Sequence, residues 1–381
     1  MKKALFLALG AAFMALTGCN KNAASVSIPA GQPARLSISI LSDTAPTKAA
    51  PVPANEVRIN TLDAFVFHAT GDLDAYGHYT GYSDDPKPVL DCTAGEDKHI
   101  YVLVNSGWTE TDLAGSIATE ADLKGRVFQL SQNGRNGVLD NFQMISTKVL
   151  DKNGNSTINL TPGTNEVQVT VSRVVSRVWI KKITRNFTSG ALSKDLIVKG
   201  IYVSNATGSY GLDGSVKDGA ADTWYNKYDG TAGTVVKDAP VAPWLDSGIS
   251  PVTLRQGGNT TAIESTFYVM PNQTPYDAPT GGNGAWSPRN TKLVVETEYD
   301  GRTYYYAIPV VEQDRYPQLS DPASFKGIRP NYSYRIDNLE LTRLGSVNPD
   351  EPVLVSNVSF EIIVDEWEEV VLATDNGNYV I

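Results

Sequence analysis

A period-two pattern narrows most sharply what this 381-residue chain can fold into. Arg35-Leu36-Ser37-Ile38-Ser39-Ile40 alternates strictly, so Leu36, Ile38 and Ile40 share one face of an extended segment. That is the pattern of a half-buried strand. Strand character returns at 59–68, 100–104, 166–175, 177–183, 196–204, 265–270, 291–299, 304–311, 332–344, 358–367 and 369–372. Asp300-Gly301 between two of these runs is a strong hairpin signal. Asp151-Lys152-Asn153-Gly154 reads as a second hairpin turn, within 148–160, and Asp72-Leu73-Asp74-Ala75-Tyr76-Gly77 as a turn. The one helical region is 109–130, where Thr109-Glu110-Thr111-Asp112 and Thr119-Glu120-Ala121-Asp122 resemble N-terminal capping sequences. Long Gly/Ser/Thr/Asp stretches at 205–263 and 271–290 read as loops. The fold class is therefore all-β with a short helical insertion in the first half, and two β-sandwiches of unequal size are the simplest packing.

The first nineteen residues set the compartment. Lys2 and Lys3 form a positive start, 4–15 is apolar, and Leu16-Thr17-Gly18-Cys19 closes the run with a lipobox-like sequence. About a dozen apolar residues are too few for a span, which needs ~20. The expectation is a lipoprotein signal peptide over 1–18, with Cys19 becoming an acylated N-terminus anchored by more than one chain. Cys92 is the one other cysteine. Alone it can form no internal disulfide, and it reads as a small buried residue. Stability must then rest on apolar core and strand pairing. Residues 20–34 are small and polar, a tether. Residues 42–54 hold Pro46, Pro51 and Pro53 and read as an exposed loop with Lys48 alone in it.

No chemistry-bearing constellation emerges. Net charge is −10 and becomes more negative once the leader, with two lysines and no acid, is gone. Such a surface disfavours nucleic acid. His68, His78 and His99 sit in no metal-ligand spacing, and no nucleophile elbow or phosphate-binding glycine loop exists. Asp72–Gly77 fails as a calcium loop at Tyr76 and Ser83, and the Asp151 turn fails at Pro162. Glu361 with Asp365, or Glu366 with Glu368, are acid pairs without evidence of a cleft. The expectation is no catalytic residue, no metal and no cofactor.

The C-terminal segment carries the most specific signal. Arg329-Pro330-Asn331-Tyr332-Ser333-Tyr334 leads into Leu339-Glu340-Leu341-Thr342-Arg343-Leu344-Gly345, then Asn348-Pro349-Asp350-Glu351-Pro352 and Asp365-Glu366-Trp367. Earlier pieces follow a matching order: Leu62-Asp63-Ala64-Phe65-Val66-Phe67, Cys92-Thr93-Ala94-Gly95, Val102-Leu103-Val104-Asn105-Ser106-Gly107, Val171 to Val178, Phe267-Tyr268-Val269-Met270-Pro271-Asn272 and Thr303-Tyr304-Tyr305-Tyr306. Together they resemble the fimbrillins, the pilin subunits of type V pili in Bacteroidales-type bacteria.

That resemblance implies two transthyretin-like β-sandwich domains, 49–176 and 177–381, behind a lipidated propeptide, 19–48, that includes the first strand. It implies an outer-membrane lipoprotein precursor, cut by a trypsin-like surface protease after Lys48 so that Ala49 becomes the N-terminus. Arg58 is the rival bond, expected to be less accessible against its strand. Loss of the strand bearing Leu36, Ile38 and Ile40 would open a groove for another subunit's C-terminal strand. Val370, Val371, Leu372 and Ala373, with Tyr379, Val380 and Ile381, are the donor candidates. The implied partners are other pilin subunits, in homopolymer or as accessory, anchor or tip proteins, and a host or bacterial receptor of unknown identity. The alternatives are a monomeric outer-membrane surface lipoprotein that binds glycan through exposed Trp224, Trp244 and Trp286, or a fimbrial anchor or tip subunit.

Overall fold

The computed structural model describes residues 30–40, 56, 58–80, 88–133, 141–187, 192–215, 224–230, 232–236, 242–256, 263–274, 288–311, 327–353 and 357–366. The first half contains β1 (Pro33–Ile40), β2 (Thr61–Phe67), β3 (Leu73–Thr80), β4 (Val89–Thr93), β5 (Gly95–Val104), β6 (Val127–Gln129), β7 (Met144–Asp151), β8 (Ile158–Leu160) and β9 (Gly163–Arg173). Two one-turn helices, α1 (Glu110–Ala114) and α2 (Glu120–Lys124), interrupt it. Eight of these strands form one sheet in the order β3-β2-β5-β7-β9-β1-β4, with β8 paired to β5.

The second half contains β10 (Ser176–Ile180), β11 (Ile183–Arg185), β12 (Leu196–Ser204), β13 (Ala206–Thr207), β14 (Ser209–Gly211), β15 (Trp224–Tyr225), β16 (Tyr228–Asp229), β17 (Thr234–Val235), α3 (Ala242–Leu245), β18 (Val252–Leu254), β19 (Ser265–Val269), β20 (Lys292–Tyr299), β21 (Arg302–Pro309), β22 (Tyr332–Ile336), β23 (Leu339–Leu341), β24 (Val358–Ser359) and β25 (Ile363–Glu366). Its larger sheets run β19-β10-β22-β25, β11-β23-β24 and β18-β12-β20-β21. The architecture is all-β, and the apolar core runs continuously through both halves.

Local chemistry explains several elements. Thr109 and Thr119 each cap a helix by accepting from the backbone of Asp112 or Asp122, whose carboxylates bond back to the cap. The β20–β21 hairpin turns at Asp300 (φ 52°) and Gly301 (φ 74°), the two positive angles that a tight hairpin requires.

Four expectations are corrected. Residues 72–77 are not a turn: Asp72 bridges to Thr119, and 73–77 lie within β3, where Asp74 pairs with a buried lysine, Lys98. The turn at Asp151 forms, with Asp151 accepting from the Asn153 and Asn155 amides at 2.8 Å. The strand after it, however, pairs with β5 (Lys98↔Ile158) and not back on β7, so 148–160 is no hairpin. Within 109–130, residues 127–129 form β6, which pairs with β14 and ties the two halves together. The stretch 205–263 is less irregular than expected, since it carries β13 to β18 and α3.

Trp224 and Trp244 are buried, at 1% and 6% exposure. They fill core space and offer no sugar platform; Trp286 lies outside the described residues.

A buried polar group lies in the second half. Asp350 sits between Lys292 and Arg289, both enclosed, and also accepts from the Asn205 amide at 3.0 Å. Burial pulls the Lys292 ammonium down to about 8, against the attraction of Asp350.

Candidate assembly site

The site builds up from β1. Its alternation is expressed as burial: Ala34 (3%), Leu36 (0%) and Ile38 (0%) face the core, while Arg35 is exposed. The backbone of Ile40 continues the strand, and its side chain lies outside the described residues.

The strand is not at an edge. On one side it pairs in parallel with β9, from Ala34↔Gly163 to Ile40↔Val169. On the other it pairs antiparallel with β4, from Pro33↔Thr93 to Ser37↔Val89. The β4-side pairing is extended by the Gly31 amide on the Ala94 carbonyl (3.0 Å), the Ala94 amide on the Gln32 carbonyl (2.7 Å) and the Ile38 amide on the Pro88 carbonyl (3.0 Å). On β9, Val167 and Val169 are enclosed, and on β4 so are Leu90 and Cys92. β1 is thus a strand in a slot, with backbone donors and acceptors engaged on both flanks.

The energetics divide by face. Each buried aliphatic side chain contributes about 1.5–3 kcal/mol and each ladder hydrogen bond about 0.5–1.5 kcal/mol. On the outer face, the Arg35–Asp91 pair at 3.1 Å has side chains 64% and 84% exposed and contributes little. Ser39 donates to Glu166 at 3.2 Å. What β1 offers the protein is therefore backbone pairing and two large apolar side chains. Any extended segment with apolar residues two apart could offer the same.

Cys92 stands across from Ala34. Burial, with the nearby Asp74 charge, pushes its thiol up to about 11, so it is an unreactive wall residue.

The chain is caught again ahead of β2. Glu56 is buried, accepts from the Tyr268 hydroxyl at 2.6 Å and pairs with Arg177 at 3.4 Å, while its carbonyl accepts from Arg173 at 2.9 Å. Asn105 accepts from the Asn60 and Thr61 amides and donates to the Arg58 carbonyl at 2.8 Å. Arg58 itself is exposed, against the expectation that its strand would shield it, while its carbonyl is held by Asn105.

Cys19, Lys48 and Ala49 lie outside the described residues, as do Val370, Val371, Leu372, Ala373, Tyr379, Val380 and Ile381. The last described element before them is β25, which pairs with β22 at the end of its sheet, Tyr332↔Glu366 to Arg335↔Ile363.

Sequence reasoning missed the slot's other wall. Nothing in 89–93 pointed to β1 as its partner, and the parallel register with β9 spans more than a hundred residues. One signal was available: Lys98 lies in phase with Ile100, Val102 and Val104 on β5, a charged residue on a core face. Such a lysine needs a buried partner, which is Asp74 at 2.8 Å.

The histidines are absorbed structurally. His78 lies 2.6 Å from Asp63 and His99 2.7 Å from Glu120, and no group of three or more metal-ligating side chains occurs among the described residues.

Comparison with known proteins gives one consistent answer. The family of the major fimbrial subunit protein (FimA) matches residues 34–176, which run from β1 through β9. The major fimbrium subunit FimA type-2 of Porphyromonas gingivalis is 22% identical over 97% of this chain and 99% of its own length. Among solved structures, a fimbrilin of Porphyromonas gingivalis aligns with TM-score 0.58 at 17% identity, covering 89% of this chain and 99% of the fimbrilin. A candidate cell adhesion protein of Bacteroides eggerthii aligns with TM-score 0.58 at 18% identity, covering 88% and 97%. Residues 34–176 thus match the major fimbrial subunit family, and the chain is similar in fold to a solved fimbrilin along nearly its whole length.

Proposed function

We propose that this protein is a structural subunit of a cell-surface fimbria that polymerises by strand exchange. In this reading it is exported as a lipoprotein acylated at Cys19 and cut between Lys48 and Ala49, and the segment bearing β1 leaves. The vacated slot then accepts an extended segment of a neighbouring subunit, drawn from Val370 to Ala373 or Tyr379 to Ile381. The observation that carries the reading is the placement of β1 between two strands, engaged on both flanks. Its departure would leave two unpaired edges and an apolar trough, a surface that captures strands. Glu56 and Asn105 hold the chain that follows the cut, so the segment before it is the half free to leave. A part in adhesion follows the family alone, and no catalytic role is assigned.

The glycan-binding alternative loses two of its three tryptophans, since Trp224 and Trp244 are buried. Deleting residues 369–381 tests the donor assignment. The variant is expected to remain a folded monomer and to give no polymer ladder on gels run without boiling. Normal ladders from it would overturn the assignment.

A further inference from the structure

The slot has a second requirement once β1 is gone. Among the described residues, β4 has one ladder partner, β1. On its other side lies β3, whose one ladder partner among the described residues is β2. No backbone hydrogen bond joins β3 to β4 among the described residues; side chains bridge them instead, one group at each end of β4. At the end of β4, Asp74 accepts from the Thr93 amide (3.0 Å) and the Thr93 hydroxyl (2.8 Å). Lys98, enclosed between them, donates to Asp74 (2.8 Å) and to the Thr93 hydroxyl (3.2 Å), and stands 2.9 Å from His68 Nδ1. At the start of β4, the Tyr79 hydroxyl donates to the Val89 carbonyl at 2.9 Å.

We infer that these two bridges, Asp74–Lys98–Thr93 and Tyr79–Val89, hold β4 at slot distance from β9 after β1 leaves and so position the wall for the incoming strand. The inference rests on the strand-exchange reading. A strand with no ladder bonds and one enclosed face pays full conformational entropy for its place. An incoming segment can pair with both edges only if they stay about two inter-strand spacings apart, roughly 9–10 Å. With β1 present, its ladder fixes β4 and the bridges are redundant. With β1 absent, β4 is fixed by the bridges, by the core contacts of Leu90 and Cys92 and, at its end, by its continuation through Ala94 into β5. Tyr79, Asp74, Thr93 and Lys98 are accordingly positioning residues that need touch no incoming strand.

The test uses the full chain, cut after Lys48, and a labelled synthetic peptide of residues 32–41 that replaces the resident segment. The double variant Thr93→Val/Tyr79→Phe removes both bridging hydroxyls and leaves the buried Asp74–Lys98 pair whole. Before the cut it should melt within a few degrees of wild type. After the cut it should take up peptide at least tenfold more weakly. Asp74→Asn/Lys98→Met, which removes the ion pair without stranding either charge, should show the same split between uncut and cut protein. Uptake equal to wild type in both variants overturns the inference and leaves strand exchange standing. A cut wild type that takes up no peptide overturns strand exchange, and the inference with it.

Discussion

At the scale of single residues, charge burial separates what holds the fold from what stays available. Asp350 neutralises two enclosed cations, Lys292 and Arg289. Removing one member of such a group strands the others, which costs about 3–5 kcal/mol. Asp350→Ala should therefore lower the denaturation midpoint severely or abolish soluble expression; a loss under 1 kcal/mol by denaturant titration would contradict this. Glu120 behaves differently because it can titrate. Burial raises its carboxyl, but the bonds from Lys124, Tyr101 and His99 outweigh that and hold it at about 2, against an ordinary 4.5. A carboxyl lowered in the folded state contributes fully above its unfolded value and loses that contribution as pH falls through the folded one. Stability should thus decline between pH 4.5 and 2. Glu120→Gln should flatten that part of the curve by about 1–2 kcal/mol. An unchanged acid limb in the variant would show that the cluster does not set it.

At the scale of elements, the sequence displayed what is local and concealed what is distant. Leu36 and Ile38 announced their strand because alternation is a property of six adjacent residues. Thr109 and Thr119 announced their helices because a capping box closes over three residues. Asp300-Gly301 announced its hairpin because the turn needs those φ angles. The parallel pairing of β1 with β9 left no local trace, and neither did the switch of β8 from β7 to β5. Asp74 was misread as a turn residue because its partner, Lys98, lies on another strand. The slot also carries its own reporter. Cys92 is enclosed and faces Ala34 across the β1–β4 pair. In the uncut protein a thiol reagent should label it slowly. Departure of β1 should expose it and speed labelling at least tenfold, and a newly seated strand should protect it again. Labelling at one rate throughout would mean that β1 never leaves.

At the scale of the whole molecule, β9 ends at Arg173 and β10 begins at Ser176, so the chain passes from one set of sheets to the next within two residues. The halves are joined by more than this connection. β6 pairs with β14, Phe142 packs its ring against Tyr268, and Glu56 bridges β9, β10 and β19 through Arg173, Arg177 and Tyr268. A fibre subunit that surrenders β1 keeps every one of these contacts, since none involves residues 33–40. In the proposed reading the molecule divides into a fixed body and one exchangeable strand, which is the property the account turns on. The direct test is the intact mass and N-terminus of the native protein sheared from cells in polymer form. The account predicts a chain that begins at Ala49 and lacks β1. A chain that begins at acylated Cys19, with β1 still attached, would contradict it.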